Sequence, residues 1–363
     1  MNTGRSDKII KFMENAVLDA VFPGAVLLCG LDREIIFHQA FGHADIFEKR
    51  PMHRDTIFDL ASLTKPLATT LAIAKLVEEG SIFPDLAMGS VLPEFASTEK
   101  SGITIDMLLR HRSGLAAHRK YYREIMQAGR QSQPMLRTLL AREPLEYGID
   151  ECQVYSDLGF MVLSWIAEHV SGIRLDRFVR ERIYLPLGIE RLFFPETARR
   201  DFFISEYNNN FASTQKCPWR RKVLTGEVDD ENAWAAGGIE GHAGLFGDAQ
   251  SVFMLCCEIL DALKGERTKV LPARIIQQFA SRKDTDEMAA GFDTPSKQNS
   301  SSGRYFSGSS IGHLGFTGTS FWIDPETSFV VILLTNRVHP SRSNQAIRRL
   351  RPEIHDIVYT QLV

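Results

Sequence analysis

Short apolar segments near both ends of the chain predict β-strands, because their β-branched and aromatic residues are bounded by turn-forming residues. A turn at residues 31–33 joins the first two segments, and a turn at residues 325–327 joins the last two, so each pair is typical of a hairpin. Amphipathic patterns at residues 7–21 and 343–363 predict a helix at each end of the chain. The predicted strands cover residues 24–29, 34–41, 318–324 and 328–335.

The middle of the chain has a different pattern, in which apolar residues recur at helical spacing from about residue 62 to residue 200. The clearest helix places Leu158, Val162 and Trp165 on one side and ends at Gly172. His169 lies on the same stripe, so we interpret it as a packing residue and not as a ligand. Residues 201–235 show no regular pattern.

This order of elements predicts an α+β fold in which an antiparallel sheet is flanked by the N- and C-terminal helices and an all-α domain is inserted. We expect residues 1–60 and 236–363 to form the discontinuous sheet domain, and residues 61–235 to form the mostly helical domain. A cleft between two such domains is a natural place for an active site.

Ser62 and Lys65 lie at the start of a predicted helix whose apolar stripe continues to Val77 and which Gly80 ends. Residues three apart on a helix share a face, so the lysine amine is placed to accept the proton of the serine hydroxyl. An isolated Ser-x-x-Lys is more often a capping serine followed by a surface lysine, and its meaning depends on the rest of the chain.

Two further segments carry candidate site residues. Tyr155-Ser156-Asp157 precedes the clearest helix, where Asp157 fits the N-cap position. Tyr155 could pack, or it could act as a general base if a nearby ammonium lowers its pKa. Residues 313–318 lead into a strand, and their glycines would let a substrate approach the backbone of an edge strand.

Ser310 lies in Gly308-Ser-Ser-Ile-Gly312, which matches the Gly-x-Ser-x-Gly elbow of another hydrolase class. That motif requires a strand before the serine and a helix after it, whereas here a Ser-rich loop precedes the serine and a strand follows it. We therefore do not expect Ser310 to be catalytic.

Together these segments resemble the serine β-lactamase and penicillin-binding-protein superfamily, and specifically its class C-like branch. That branch includes class C β-lactamases, DD-peptidases and family VIII esterases. The resemblance covers nearly the whole chain, and its markers occur in the family's order. The markers are Ser62-x-x-Lys65, the Leu-Leu-x-His-x-Ser-Gly-Leu stretch at 108–115, Tyr155-Ser-Asp157, residues 241–246, and His313-Leu-Gly315 in the place of Lys-Thr-Gly.

The resemblance implies a serine hydrolase with a β-lactamase/transpeptidase-like fold that works through an acyl-enzyme on Ser62. It implies that Lys65 and Tyr155 share the proton taken from the serine, and that the backbone N–H groups of Ser62 and Phe316 form the oxyanion hole. It also implies substrate-binding roles for three residues and requires no metal or organic cofactor. Those three residues are Asp157, His313 and Gly315.

Two departures from the family pattern bear on the substrate. Asp157 replaces an asparagine, and an ionised carboxylate donates no hydrogen bond and repels anions. His313-Leu314 replaces Lys-Thr and so removes a fixed charge and a hydroxyl. We therefore predict esterase activity in preference to β-lactam hydrolysis, unless Arg337 or Arg342 faces the cleft. The alternatives are a β-lactamase or D-Ala-D-Ala carboxypeptidase, and a non-catalytic binding or scaffold protein with the same fold.

Composition limits the partners. The 363 residues have a formal net charge of −3, which predicts no general affinity for nucleic acid. No apolar run reaches the length of a membrane-spanning helix. The substrate that the resemblance implies is a small ester, amide or peptide. The five cysteines lack Cys-x-x-Cys spacing, which argues against a metal site. The N-terminus has no signal-peptide pattern, so the cytoplasm is the expected compartment, and oligomeric state is left open.

Overall fold

The computed structural model describes residues 3–195 and 210–363, with side chains from residue 6. The irregularity predicted for residues 201–209 and the helical pattern at 196–200 lie outside those ranges. The main sheet is antiparallel and has six strands in the order β3-β2-β1-β11-β10-β9. These strands are β1 (Gly24–Leu31), β2 (Glu34–Asp45), β3 (Arg50–Pro51), β9 (Ile311–Leu314), β10 (Ser320–Asp324) and β11 (Phe329–Thr335).

Both predicted hairpins are present, and the first is longer than its pattern indicated because β2 continues to Asp45. Asp32 and Arg33 form its turn with φ values of +49° and +69°. Two consecutive left-handed residues are the geometry that matches the twist of two paired strands. The two hairpins join through β1 and β11, so the chain ends meet in the middle of one sheet.

The sheet is covered on both faces, which explains why β1 is apolar at every position instead of alternating. Ala25 and Leu27 pack with the terminal helices α1 (Thr3–Leu18) and α12 (Ile347–Leu362) in one core cluster. Val26 and Leu28 belong to a second cluster on the opposite face, together with helix α10 (Ala249–Lys264) and the helices of the middle region. The α+β fold with flanking terminal helices is therefore confirmed.

Short helices dominate the middle of the chain, as the pattern predicted, and two small sheets accompany them. The division of the chain at residues 60 and 236 stays a prediction. The small sheets are β4-β8-β5 (Phe58–Asp59, Phe246–Gly247, Leu192–Phe193) and β6-β7 (Ser213–Cys217, Lys222–Thr225). The remaining α-helices in the described ranges are α2 (Leu71–Glu78), α3 (Met88–Val91), α4 (Ile105–Leu109), α5 (Tyr122–Gln127), α6 (Gln133–Arg142), α7 (Asp157–Ser171), α8 (Leu175–Val179), α9 (Glu231–Ala235) and α11 (Ala273–Ala280).

Helix α7 corrects two expectations. Ser156, and not Asp157, is its N-cap, because the Ser156 hydroxyl accepts the N–H of Gly159 at 3.2 Å. His169 is exposed and does not pack in the core. The helix ends at Gly172 in the left-handed conformation, as predicted. Across the described ranges no helix combines the length and apolar character needed to cross a bilayer.

Candidate active site

Ser62 lies in an irregular turn and not in the first turn of a regular helix. A 3₁₀ turn, Ala61–Leu63, is followed by a π-helical turn, Lys65–Thr70, and only then by α2. Ala61 has φ +49°, a left-handed conformation that costs energy for a residue with a side chain. Asp59 holds this conformation, because its Oδ1 accepts the Ala61 N–H at 2.9 Å. Such strained and irregular helical turns are frequent at functional sites.

Lys65 is completely buried, and its ammonium group has three partners. Its Nζ lies 2.7 Å from Asp157 Oδ1, 3.2 Å from Ser62 Oγ and 3.2 Å from the carbonyl oxygen of His242. A charged lysine has three N–H donors, so all three are used. Burial disfavours the charge, but Asp157 and Tyr155 outweigh it and raise the pKa of Lys65 above its usual value. Lys65 is therefore a cation in the resting site.

Tyr155 lies over this ammonium, with its ring centroid 4.7 Å from Lys65 Nζ. Its ring is 37% exposed, while burial around the hydroxyl raises the pKa, and interaction with Lys65 only partly offsets that effect. Tyr155 is therefore a neutral phenol at rest. His111 fixes the ring from behind, with centroids 4.7 Å apart.

Asp157 bridges two basic side chains. Its Oδ1 pairs with Lys65 and its Oδ2 lies 3.3 Å from Nδ1 of His118. Burial raises the pKa of Asp157, but Lys65 and His118 outweigh burial and leave that pKa well below its usual range. The same contact raises the pKa of His118. Lys65 balances the charge of Asp157. This carboxylate therefore repels an anionic substrate less than we predicted from the sequence.

The edge strand β9 brings His313 to the same site, but its imidazole is buried and 6.0 Å from the Tyr155 ring. The Nδ1–H of His313 donates to the Leu314 carbonyl at 2.9 Å. Burial, followed by the charge of Lys65, lowers the pKa of His313 to about 3. A neutral imidazole is the result, so His313 supplies no fixed charge to the site.

Gly315 explains how the end of β9 approaches the turn at Ser62 so closely. A Cβ atom at this position would lie 1.9 Å from Thr319 Oγ1 and 2.7 Å from the carbonyl oxygen of Leu60. Only glycine fits there, and the chain then places Phe316 beside Ser62 in the wall of two cavities. All the predicted site residues are thus brought to one cleft.

Two cavities meet at Ser62, Tyr155 and Phe316. One measures about 320 Å³, and we call it the acidic cavity because four carboxylates line it. The other measures about 510 Å³, and we call it the arginine cavity because three arginines line it. The four carboxylates belong to Asp157, Asp229, Asp230 and Glu231, and the three arginines are Arg337, Arg348 and Arg351.

Three histidines of the site had no assigned role in the sequence. His111 accepts the Ser156 N–H on Nδ1 at 3.0 Å, which ties the 108–115 stretch to the Tyr155 loop. The position of His111 in that stretch could have identified it as a site residue from the sequence. His242 lies in the marker at residues 241–246, whereas His118 is joined to the site only by the fold and no local pattern marked it. Among the described residues, no cluster of three histidine, cysteine or acidic side chains could hold a metal ion.

Ser310, the serine of the Gly-x-Ser-x-Gly match, is completely buried immediately before β9. Its hydroxyl lies 3.1 Å from the hydroxyl of Ser307, within a cluster of neighbouring serines. It lines neither of the two cavities at Ser62.

Comparison with known proteins identifies relatives of this chain. A protein of Escherichia coli K12 named "Putative D-alanyl-D-alanine carboxypeptidase" is 30% identical over 93% of this chain and 83% of its own length. A protein of the same name from Salmonella typhimurium is 30% identical over 91% of the chain and 82% of its own length.

Solved structures share the fold. EstCE1, described as a hydrolase with promiscuous acyltransferase activity, has a TM-score of 0.76 at 21% identity and covers 98% of this chain and 99% of its own. An octameric penicillin-binding-protein homologue from Pyrococcus abyssi has a TM-score of 0.74 at 19% identity over 100% of this chain and 77% of its own. The model of the Beta-lactamase family matches residues 7–355, and the chain therefore belongs to that family.

Proposed function

We propose that this protein is a serine acyl hydrolase that forms an acyl-enzyme on Ser62. The observation that carries the proposal is the contact of 3.2 Å between Ser62 Oγ and the buried Nζ of Lys65, at the meeting point of two cavities. Ser62 Oγ attacks the substrate carbonyl, the tetrahedral intermediate expels the leaving group, and water then hydrolyses the acyl-serine.

The proton of Ser62 needs an acceptor, and the resting site offers none, because Lys65 is charged and Tyr155 is neutral. The reactive form is therefore the one in which the coupled group of Lys65, Tyr155 and Asp157 has lost one proton. Lys65 or Tyr155 then accepts the serine proton and returns it to the leaving group. Asp157 makes the coupled group lose its proton less readily, because it stabilises the lysine cation.

The oxyanion is proposed to bind the backbone N–H groups of Ser62 and Phe316. Among the described residues, neither N–H donates to a backbone or side-chain acceptor. Each such donor typically contributes about 3–4 kcal/mol to the transition state. The close packing at Gly315 and the presence of both residues in the walls of the same two cavities support this assignment.

Asp157→Asn is expected to shift the acid limb of the kcat/KM profile to lower pH. Without the carboxylate, burial dominates and lowers the pKa of Lys65, so the neutral amine forms at lower pH. An opposite charge at this distance changes a pKa by about one to three units, and we expect a shift of that order. The measurement is kcat/KM for p-nitrophenyl butyrate between pH 5 and 10.

Asp150→Asn is the matched control, because Asp150 is a half-exposed carboxylate paired with Arg112 outside both cavities. Its φ of +61° is one that asparagine tolerates well. The profile of this control should coincide with that of the parent. An Asp157→Asn profile that stays in place or moves to higher pH would show that Asp157 does not set the Lys65 charge.

The preference for esters over β-lactams remains part of the proposal. Neutral His313 and apolar Leu314 provide no charge for a substrate carboxylate. Arg337 and Arg342 do line the cavities at Ser62, but both already bind other groups of the protein. Arg342 binds Asp229 and Glu231, while Arg337 donates to the carbonyl oxygens of Arg342, Asn344 and Phe316.

The arginine cavity supports a second candidate function, the carboxypeptidase activity named in the Escherichia coli relative. Arg348 is exposed and has no ion pair among the described residues, and Arg351 is buried with its Nε unpartnered. Among the described residues, Asp293 is the one acidic residue in the wall of this cavity, so the net charge of the cavity wall is positive. Such a cavity would hold the carboxylate of a peptide's leaving group.

One preparation tests both candidates by its kcat/KM for p-nitrophenyl butyrate and for nitrocefin, with mass spectrometry of the quenched protein. We expect an acyl adduct on the peptide that contains Ser62 and faster turnover of the ester. Nitrocefin turnover equal to or above that of the ester would show that the arginine cavity anchors anions and would favour the second candidate. A protein that forms no adduct and turns over neither compound would be a binding or scaffold protein.

A further inference from the structure

The acidic cavity has a feature that acyl transfer does not use. Three consecutive acidic residues, Asp229, Asp230 and Glu231, line it at the N-terminal end of α9. Asp230 and Glu231 keep 23% and 17% of their side-chain surface accessible, so both reach the cavity. They share that cavity with Ser62 and Tyr155.

The carboxylates of this cavity outnumber their cations. Arg342 forms ion pairs with two of them: its Nη2 lies 2.7 Å from Asp229 Oδ2, and its Nη1 lies 2.6 Å from Glu231 Oε1. Lys65 is engaged by Asp157. Asp230 has only the His242 imidazole at 3.0 Å and the N–H of Ala233. Within the described ranges, two negative charges are thus left unmatched when the histidines are neutral.

Unsatisfied acceptors line the same cavity. In the described part of the molecule, Asp229 Oδ1 and His242 Nδ1 are buried and have no hydrogen-bond donor, in residues only 2% and 1% exposed. The pKa of Asp59 reflects the same excess of negative charge, because burial and then the nearby Asp229 raise it to about 7. The missing donors and the raised pKa of Asp59 agree with the charge count: this wall of the cavity carries more negative than positive charge, which favours a cationic ligand.

We infer that the acidic cavity binds a protonated amine of the substrate, and that the substrate class is amino-acid esters, amides and short peptides with a free amino group. This inference rests on the proposed acyl-enzyme chemistry. When a peptide is cleaved, the half that acylates the serine carries the amino end, and the half that leaves carries the carboxylate. The acidic cavity and the arginine cavity meet at Ser62, so each can hold one half of such a substrate.

The test compares alanine p-nitroanilide, as each enantiomer, with isobutyryl p-nitroanilide, in which a methyl group replaces the ammonium. The ratio of their kcat/KM values is measured for the parent, for Asp230→Asn and for Glu231→Gln. Comparing ratios between variants cancels the intrinsic reactivity of the two anilides. Asparagine is as good an N-cap as aspartate, so Asp230→Asn keeps the start of α9. We expect the ratio to fall about tenfold in each variant, as for a lost charge-assisted contact.

Glu14→Gln is the charge-matched control, because Glu14 is exposed on α1 outside both cavities, and its ratio should equal that of the parent. A fluorophosphonate that labels Ser62 separates the possible failures. A parent that is labelled but whose ratio is unchanged in both variants would overturn this inference alone. A parent that reacts neither with the label nor with the anilides would overturn the proposed function and this inference with it.

Discussion

Ser62→Ala is expected to lower kcat/KM for p-nitrophenyl butyrate by roughly 10⁴-fold or more, as loss of a serine nucleophile does in other hydrolases. The substitution removes one oxygen that has a hydrogen bond from Lys65, so we expect a stability change of only about 1 kcal/mol. The variant should fold, and it should lose covalent labelling by a fluorophosphonate. Activity, label and urea unfolding are measured on the same preparation.

Ser310→Ala is the control for this experiment, because Ser310 carries the competing Gly-x-Ser-x-Gly match and its hydroxyl is buried among other serines. It should retain both activity and label. A label that persists in Ser62→Ala would exclude Ser62 as the nucleophile. A label that disappears in Ser310→Ala instead would transfer that role to Ser310.

The sheet and the terminal helices could be predicted because their information is local. The two central strands, β1 and β11, are continuous apolar segments, and each turn lies in a few neighbouring residues. The same is true of Ser62, Lys65 and Tyr155, which fall in short segments whose spacing is readable. The end of α7 was also readable, because one glycine adopts the left-handed conformation at its end.

The electrostatics of the site could not be predicted, because the contacts that set them join distant parts of the chain. Lys65 and Asp157 are 92 positions apart, and Lys65 and the His242 carbonyl are 177 apart. The sequence placed Asp157 at a helix start and predicted a capping role, whereas Ser156 caps and leaves the carboxylate free for Lys65. The turn at Ser62 depends similarly on Asp59, whose carboxylate holds Ala61 in a conformation that propensity alone disfavours.

The charge around Ser62 also comes from segments that no motif joins. The arginine cavity takes Arg348 and Arg351 from the C-terminal helix, while the acidic cavity takes Asp229, Asp230 and Glu231 from the region before α9. The pattern of the C-terminal helix predicted which side packs on the sheet. It did not predict that Arg348 and Arg351 line a cavity that also includes Ser62.

Lys65→Ala and Tyr155→Phe are each expected to lower kcat/KM for p-nitrophenyl butyrate by about 10²–10⁴-fold, the usual contribution of a positioned acid or base. The double variant should lose little more than the worse single variant, because the two groups handle one proton. Factors that multiply in the double variant would mean that they act in separate steps.

Lys65→Ala carries a second, structural effect that the design of the experiment has to separate from catalysis. Removing the cation leaves the partly buried Asp157 carboxylate with His118 as its remaining basic partner. Breaking a fully buried ion pair costs about 3–5 kcal/mol of unfolding free energy, and we expect a smaller loss here. Adding Asp157→Asn removes that charge, so Lys65→Ala/Asp157→Asn should regain most of the stability in urea unfolding. Its activity should stay low, because no amine remains to take the serine proton. Activity that returns together with stability would show that Lys65 only supports the fold, and Tyr155 alone would then be the base.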